Sequence, residues 1–253
     1  MTLTARVGAE TTAALRSFLR RRTAVFFTFF FPVIIILIFG ALVGTQPTGG
    51  GLFAEPPAYY LPGYLAVVVL FTPLSRVGSE VARHRAGNRF EKLATTPLSR
   101  TEWLLSHTLV NVGIIGVAAL VIFALVVVVT GAEIPLTADL ALVVPFVALA
   151  VALFCGLGAL LGRIADSQDG VIAASNGIAV PLLFLSETFV PPSLLPAWFV
   201  PALSLSPLTY FSRGVRSVTY PAAGGDPLSN LAVLAALTVV FFAAGAVALP
   251  RTD

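Results

Sequence analysis

Residues 24–43 read AVFFTFFFPVIIILIFGALV, a run of 20 residues without a charged side chain. An apolar helix of about 20 residues is long enough to cross the hydrocarbon core of a bilayer, and it satisfies its own backbone hydrogen bonds there. A cleaved signal peptide describes this segment poorly, because the arginine-bearing stretch before it is long and the apolar run exceeds the usual roughly 7–15 residues. The stretch therefore predicts a retained membrane-spanning helix.

The whole chain has the composition of a membrane protein. Of its 253 residues, 57% are apolar and 11% are charged, against roughly 45–50% and about 25% in soluble domains. Its mean hydropathy is +0.95. Because so few charges could not cover the surface of a soluble globule, we predict an all-α integral membrane protein. The single cysteine, Cys155, excludes an internal disulfide and a metal site built from cysteines.

Charge-free runs predict six membrane spans. The second and fifth runs are short, so their ends are the hardest to place. The length of the chain leaves no room for a soluble catalytic domain beside six spans of about 20 residues, and we interpret residues 1–253 as a single transmembrane domain. The predicted spans are 24–43, 60–75, 103–129, 140–161, 171–185 and 231–249.

One further apolar stretch, from Phe189 to Tyr210, does not fit a spanning helix. It contains Pro191, Pro192, Pro196, Pro201 and Pro207. A proline inside a helix removes a hydrogen bond and costs about 3 kcal/mol. We therefore predict two short broken helices that enter the membrane edge from the outer side, within an outer region at 186–230. A seventh span is the alternative.

The distribution of basic residues predicts the orientation. Thirteen of the 15 basic residues lie in the N-terminal segment, the loop 76–102, the connection between the fourth and fifth spans, and the tail. Basic residues are enriched in cytoplasmic loops. We therefore predict a multi-pass protein of the cell membrane with both termini in the cytoplasm, and Arg213 and Arg216 are the two exceptions on the outer side.

The N-terminal segment has an amphipathic pattern. Its apolar side chains share one helical face, and Arg6, Arg16 and Arg20 lie off that face. A basic amphipathic helix before a span commonly lies in the membrane interface. A solvated basic tail that only sets the topology fits the same residues, and both interpretations remain open. The apolar residues are Leu3, Val7, Ala14, Leu15, Phe18 and Leu19.

The sequence lacks the motifs of a catalytic or metal site. A phosphate-binding GxxxxGK[ST] loop requires a lysine, and the single lysine, Lys92, follows GNRFE. Neither HExxH nor GxSxG occurs. No charged residue falls inside a predicted span, whereas an ion-coupled transporter normally needs such groups. We therefore expect no catalytic residue, metal or cofactor in this chain, and no nucleic-acid partner.

The longest inner loop, residues 76–102, reads RVGSEVARHRAGNRFEKLATTPLSRTE. It mixes both signs of charge, and it predicts a short helix from about Glu80 to Leu93 and a turn at Thr96–Pro97. An ordered charged loop suits docking to a soluble partner. A solvated basic loop held near anionic lipid headgroups is the other interpretation, and the composition does not separate the two.

Three stretches resemble the permease subunits of type-2 ATP-binding cassette (ABC) transporters. They are FFFPVIIILIFG at 29–40, EVARHRAGNRFEKLATTPLSRTEWLLSHTL at 80–109 and PLLFLSETFVPPSLLPAWFVPALSLSPLTYFSRGVRSV at 181–218. They occur in the order found in that family and are spread from residue 29 to residue 218. Glu187 departs from the family, which usually has glycine there, and His84 and Asn88 stand where glutamate and threonine are commoner.

The resemblance implies a permease that couples ATP hydrolysis by a separate subunit to transport, with export the expected direction. The partners implied are an ATPase that binds ATP and Mg, and a second permease subunit, identical or paralogous. A structural or assembly factor and an ion-coupled transporter without an ATPase are the alternatives, and no substrate is identified. Residues 3–22 resemble the interfacial helix of the family.

The same resemblance assigns two sets of residues. The segment 80–93 would be the coupling helix that the ATPase receives, with contacts from Glu80, Arg83, His84, Arg85, Arg89, Glu91 and Lys92. The outer region would be built around Glu187, Pro191, Pro192, Pro207, Tyr210, Arg213 and Arg216.

Overall fold

The structure, a computed structural model, describes residues 2–43 and 55–250. Within those ranges every regular element is helical, which agrees with the predicted all-α class. Arg251, which was counted among the inner basic residues, lies outside the described part. The α-helices are α1 (Leu3–Leu19), α2 (Arg22–Ile36), α3 (Leu61–Ala86), α4 (Arg89–Ala94), α5 (Arg100–Thr130), α6 (Val143–Ile164), α7 (Gln168–Phe184), α8 (Pro207–Thr219) and α9 (Pro227–Ala248).

Shorter helical turns extend several of these helices. A π-helix at Leu37–Val43 continues α2, and 3₁₀ turns at Pro57–Tyr60 and Ala138–Leu142 precede α3 and α6. Five helical stretches are then long and apolar enough to cross a membrane: Arg22–Gly40, Pro57–Ala86, Arg100–Thr130, Ala138–Ile164 and Pro227–Ala248.

These five stretches coincide with five of the six predicted spans. The helix at the fifth predicted span, α7, has 17 residues, which is shorter than the about 20 residues that a bilayer crossing requires. The chain is therefore a multi-pass helical protein, and the count of six spans stays a prediction.

The helix that contains the second predicted span, α3, continues without a break beyond residue 75 to Ala86, and the point at which it leaves the membrane stays a prediction. Arg76 consequently lies in the helix, and the connection to α5 is residues 87–99 rather than 76–102. Inside the extension Glu80 contacts Arg83 at 3.1 Å and His84 at 3.5 Å. Opposite charges three or four residues apart stabilise a helix, so the charges that suggested a loop prolong the helix.

The helix α6 lies at the centre of the bundle, between α3 and α9. Glycines allow this close contact, because a Cβ on Gly158 would lie 2.5 Å from the carbonyl oxygen of Leu74 in α3. On the other side of α6, Gly156 faces Gly245 of α9 at equally short range. The bundle has an α4 end, where α3 finishes, and an α8 end, where α3 begins and α8 packs against it.

The proline-rich stretch contains 3₁₀ turns at Pro192–Leu194 and Val200–Leu205, and then α8, which has 13 residues. No helix long enough for a seventh span occurs there. The outer region predicted to end at 230 overlaps the start of α9 at Pro227, and its boundary stays a prediction. Whether the broken helices enter the membrane edge stays a prediction.

Candidate coupling surface

The predicted helix from Glu80 to Leu93 is two helices. It breaks at Gly87–Asn88, where Asn88 has φ 48°, ψ 35°. Asparagine is one of the few non-glycine residues that adopt this left-handed conformation readily. The chain therefore turns sharply after α3, and the short helix α4 begins in a new direction.

A single buried side chain holds α4 to the bundle. Phe90 is 4% exposed, and its ring lies edge-on to Trp103 of α5, with centroids 5.6 Å apart. The His84 ring of α3 is 5.4 Å from Phe90 and 5.5 Å from Trp103, so the three rings form one cluster. Aromatic pairs at such distances are worth about 0.5–1.5 kcal/mol beyond the area they bury. The position of α4 is thus tied directly to α3 and α5.

The charged side chains of α4 point away from the bundle, whereas Leu93 is partly buried against the core. Arg89, Glu91 and Lys92 are exposed, and none of the three makes a side-chain hydrogen bond or an ion pair with any residue of the described ranges. At the end of α4, the hydroxyls of Thr95 and Thr96 donate to the carbonyl oxygens of Lys92 and Leu93 at 2.8 and 2.7 Å. These two hydrogen bonds cap the short helix, which holds its three charged side chains in a defined position.

An apolar groove lies beside these charges, between α4 and the end of α9. Its volume is about 440 Å³, and Leu93, Leu98 and Val247 contribute to its wall. Arg100 closes one side by donating to the carbonyl oxygens of Val247 and Leu249 at 2.9 and 2.7 Å. The α4 end therefore combines exposed charge with an adjoining apolar groove, as a protein-docking surface does.

The other four predicted contact residues have partners inside the chain. Arg85 donates to the carbonyl oxygens of Gly162, Arg163 and Ala165 at 3.2, 2.9 and 3.0 Å. Those carbonyls lie at the C-terminal end of α6. The last carbonyl groups of a helix have no hydrogen-bond donor within it, and this end of the helix attracts cations. Arg85 thus ties α3 to α6.

Glu80 is the centre of a second internal group. Its carboxylate contacts Arg21 at 3.5 Å in addition to Arg83 and His84, and His84 is buried. The seven predicted residues therefore separate into four with partners inside the chain and three that are free for a partner. Their assignment to an ATPase contact stays a prediction.

Sequence reasoning missed the residues that fix the start of α5. Ser99 and Glu102 form a capping box, in which Ser99 N donates to Glu102 Oε2 at 2.7 Å and Glu102 N donates to Ser99 Oγ at 3.2 Å. The Ser-x-x-Glu spacing was the available signal. The Glu102 carboxylate also pairs with Arg6 of α1, and this hydrogen bond holds the pKa of Arg6 above its ordinary value.

The N-terminal segment is a folded helix rather than a solvated tail. Val7, Ala14 and Phe18 are buried, and the last two pack against Val110 and Ile114 of α5. Half of the apolar face is therefore buried in the protein, and the location of the other half in the membrane interface stays a prediction. Leu3, Leu15 and Leu19 remain exposed.

At the α8 end, the three charged residues predicted for the outer region meet in one cluster. Glu187 is 5% exposed and pairs with Arg213. Arg216 is 4% exposed; it donates to the carbonyl oxygen of Glu187, and through Nε to that of Tyr59 at 3.3 Å. Its guanidinium lies 4.0 Å from the centre of the Tyr59 ring. The cluster joins the end of α7, the start of α3 and α8.

The other predicted outer residues shape the backbone. Pro191 precedes the 3₁₀ turn that begins at Pro192, and Pro207 is the first residue of α8, where its missing N–H costs nothing. Tyr210 donates its hydroxyl proton to the carbonyl oxygen of Ser204 at 2.9 Å. None of these residues touches the charged cluster through a described hydrogen bond.

Across the described ranges, no group of three or more His, Cys, Asp or Glu side chains could hold a metal ion. What the arrangement offers instead is a mechanical link. The helix α3 has 26 residues and is therefore about 39 Å long. It contacts α4 at one end and α8 at the other, so a displacement at the α4 end acts on one continuous element.

Two comparisons with known proteins bear on this geometry. The family model described as ABC-2 type transporter matches residues 6–220. The chain is also similar to the daunorubicin resistance ABC transporter permease protein DrrB1 of Streptomyces coeruleorubidus, with 32% identity over 84 residues. That alignment covers 33% of this chain and 30% of the relative.

Proposed function

This chain belongs to the ABC-2 type transporter family, which makes it a membrane subunit of an ABC transporter, and we propose that it couples ATP hydrolysis by a separate ATPase to substrate export. The family does not favour the alternatives of a structural factor or an ion-coupled transporter. The export direction draws support from the relative that is named for daunorubicin resistance. A nonpolar or amphipathic substrate suits a bundle of apolar helices.

The observation that carries the proposal is the presentation of α4. Arg89, Glu91 and Lys92 project from a helix that Phe90 fixes between α3 and α5. Exposed charges of mixed sign give specificity to a docking surface, and the adjoining groove supplies apolar area.

The proposed mechanism starts in the ATPase, which binds ATP and Mg. Closure of two ATPase subunits moves each α4, and Phe90 transmits the displacement to α3 and α5. The two packings of the bundle must differ in their affinity for substrate and for the ATP-bound partner, since otherwise no shift occurs. In this scheme the α4 end and both termini face the cytoplasm of a cell membrane, as the basic residues predict.

Reversal of the three free charges should abolish docking. We expect the variant Arg89→Glu, Glu91→Arg, Lys92→Glu to lose at least about tenfold in affinity for the ATPase, equivalent to about 1.4 kcal/mol. The measurement is a pull-down of the tagged chain in mild detergent. A co-purifying subunit with a GxxxxGK[ST] motif is identified by mass spectrometry, and ATP hydrolysis by the complex is then assayed.

A matched control carries reversals at the same end but away from α4: Arg163→Glu, Asp166→Arg and Asp169→Arg, all of them exposed side chains. It should retain the ATPase. Arg85 is left unchanged in both variants because it ties α3 to α6. Wild-type docking by the α4 variant would refute the proposal that α4 is the coupling element.

A second permease subunit would cover an outward face of α7. Ile172, Val180 and Phe184 are exposed along this face. A Cβ on Gly177 would meet nothing within 4 Å. A small residue between apolar side chains on one face allows close helix contact in a membrane. We propose that a second copy or a paralogue packs there.

The substitution Gly177→Leu should weaken this contact at least about tenfold, because a larger side chain separates the helix backbones. The fraction of dimer is measured by single-molecule subunit counting in bilayers over a range of protein-to-lipid ratios. Gly113→Leu is the matched control, since it too points into open space but lies on α5. An unchanged dimer fraction in Gly177→Leu would contradict the assignment of α7.

A further inference from the structure

A cavity of about 490 Å³ lies towards the α4 end, beneath the elbow between α1 and α2. Its walls come from α1, α2, α3, α5 and α7, and it is open to the surroundings. Neither the docking surface nor the outer cluster includes it. Side chains that line it include Phe27, Phe31, Thr72, Ser75, Arg76 and Ser79.

Arg76 is the principal feature of this cavity. Its guanidinium lies 4.3 Å from the centre of the Phe18 ring and donates to Asn111 Oδ1 at 3.3 Å. No carboxylate of the described residues lies within ion-pair distance of it. Glu80, the acidic residue in the wall, already contacts Arg21, Arg83 and His84. The cavity therefore has an excess of positive charge, and a partly buried cation without a counter-charge favours an anionic ligand.

Three hydroxyl groups line the same wall. Thr72, Ser75 and Ser79 are three to seven residues apart, so they share one face of α3 with Arg76. None of them forms a hydrogen bond with another described residue, although serine and threonine in helices commonly bond to the carbonyl four residues earlier. The exposed amide of Asn176 on α7 is similarly unengaged. These groups supply several free donors around the cation.

The opposite wall is aromatic. Phe27 and Phe31 are 57% and 51% exposed and lie one turn apart on α2. The cavity thus has a cationic, hydroxyl-lined wall facing an apolar one. The cavity also lies at the level of α3 where its apolar part gives way to its charged part. The charge-free part of α3 ends at Ser75, and Arg76 begins the charged part. A lipid phosphate lies at the level where charged residues begin along a spanning helix.

We propose that this cavity binds the phosphate of an anionic membrane phospholipid, with Arg76 as the main cationic contact. Thr72, Ser75 and Ser79 donate to the phosphate and glycerol oxygens, and the acyl chains leave along Phe27 and Phe31. The bound lipid joins the α1–α2 elbow to α3. The site is independent of the ATPase and of the direction of transport.

The test uses the full chain, delipidated in detergent, with native mass spectrometry to count retained phosphatidylglycerol. We expect wild type to retain one phosphatidylglycerol per chain in preference to phosphatidylcholine. Arg76→Gln should reduce retention at least about tenfold, and Arg76→Lys should reduce it less. The matched control is Arg163→Gln, an exposed basic residue at the same end, which should behave as wild type.

A second variant protects the test against misfolding of Arg76→Gln. The combination Thr72→Val, Ser75→Ala and Ser79→Ala keeps the charge and removes only the donors, and it should lower retention severalfold. Unchanged retention in this variant and in Arg76→Gln would overturn the proposal. Equal displacement of the lipid by millimolar inorganic phosphate would show a free-anion site instead, and equal retention of phosphatidylcholine would also reject an anionic lipid.

Discussion

The substitution Gly158→Leu should greatly reduce the amount of protein that reaches the native fold. The Cβ alone would lie 2.5 Å from the Leu74 carbonyl oxygen and 3.2 Å from the Leu74 Cα. Both are backbone atoms of α3, so no side-chain rotation can relieve the clash. Overpacking of a core typically costs 1–3 kcal/mol, and displacing two helices places this change at or above the upper figure. The free energy of unfolding of a folded protein is only about 5–15 kcal/mol.

The expected result is at least a tenfold fall in monodisperse protein, measured by fluorescence-detected size-exclusion chromatography. Gly158→Ala should give an intermediate loss because it adds only the Cβ. Gly113→Leu is the control, since it makes the same change on α5 where nothing lies within 4 Å. A Gly158→Leu variant with the wild-type elution profile would show that α3 and α6 do not approach as closely as described.

The arrangement of glycines also shows what the sequence could have revealed and did not. Gly158 and Gly162 form a small-xxx-small pattern in α6, which is a known signal of close helix contact in membranes. This pattern does not show which helix packs against α6. Gly162 faces Gly78, which lies in the part of α3 that the charged residues had suggested was a loop.

Charge-free runs located the membrane helices well, because hydrocarbon imposes the same requirement on every span. They failed at the ends of helices, where water can solvate a charged side chain without interrupting the backbone. The extension of α3 beyond Ser75 is the main example. Besides the local contacts of Glu80, this part of α3 is supported by Arg21, which precedes α2, and by the C-terminal end of α6, and both are distant in sequence.

The coupling residues were predicted as one set for a similar reason. Composition identifies charged side chains near a turn, but it does not show which of them are used internally. The pairing of Glu102 with Arg6 joins residues 96 positions apart, and no local pattern encodes it. Only the tertiary structure shows that Arg85 donates its hydrogen bonds to the end of α6, whereas Arg89 remains free for a partner.

Replacement of Arg216 by methionine should be the most destabilising change in the outer cluster. Arg216 is 4% exposed, and burial lowers its pKa from the ordinary value. Methionine fills a similar space but leaves the carbonyl oxygens of Glu187 and Tyr59 without this donor. Unsatisfied buried polar groups cost about 1–3 kcal/mol each, so we expect a loss of about 2–4 kcal/mol in the free energy of unfolding.

Arg213→Met provides the comparison within the same cluster. Glu187 raises the pKa of Arg213 through their hydrogen bond, but the Arg213 side chain is 37% exposed, so water replaces much of what is lost. The Glu187 carboxylate is buried, so its loss of this donor still costs about 1–3 kcal/mol, but Arg213→Met affects one buried acceptor group where Arg216→Met affects two. Thermal unfolding in detergent, followed by tryptophan fluorescence, should therefore show a clearly larger drop in Tm for Arg216→Met than for Arg213→Met.

The drop in Tm for Arg216→Lys should lie between those two, because lysine keeps the charge but not the planar fork that reaches both carbonyls. Equal drops in Tm for the two methionine variants would mean that charge alone holds the cluster, and that α8 does not fasten the start of α3 to the end of α7.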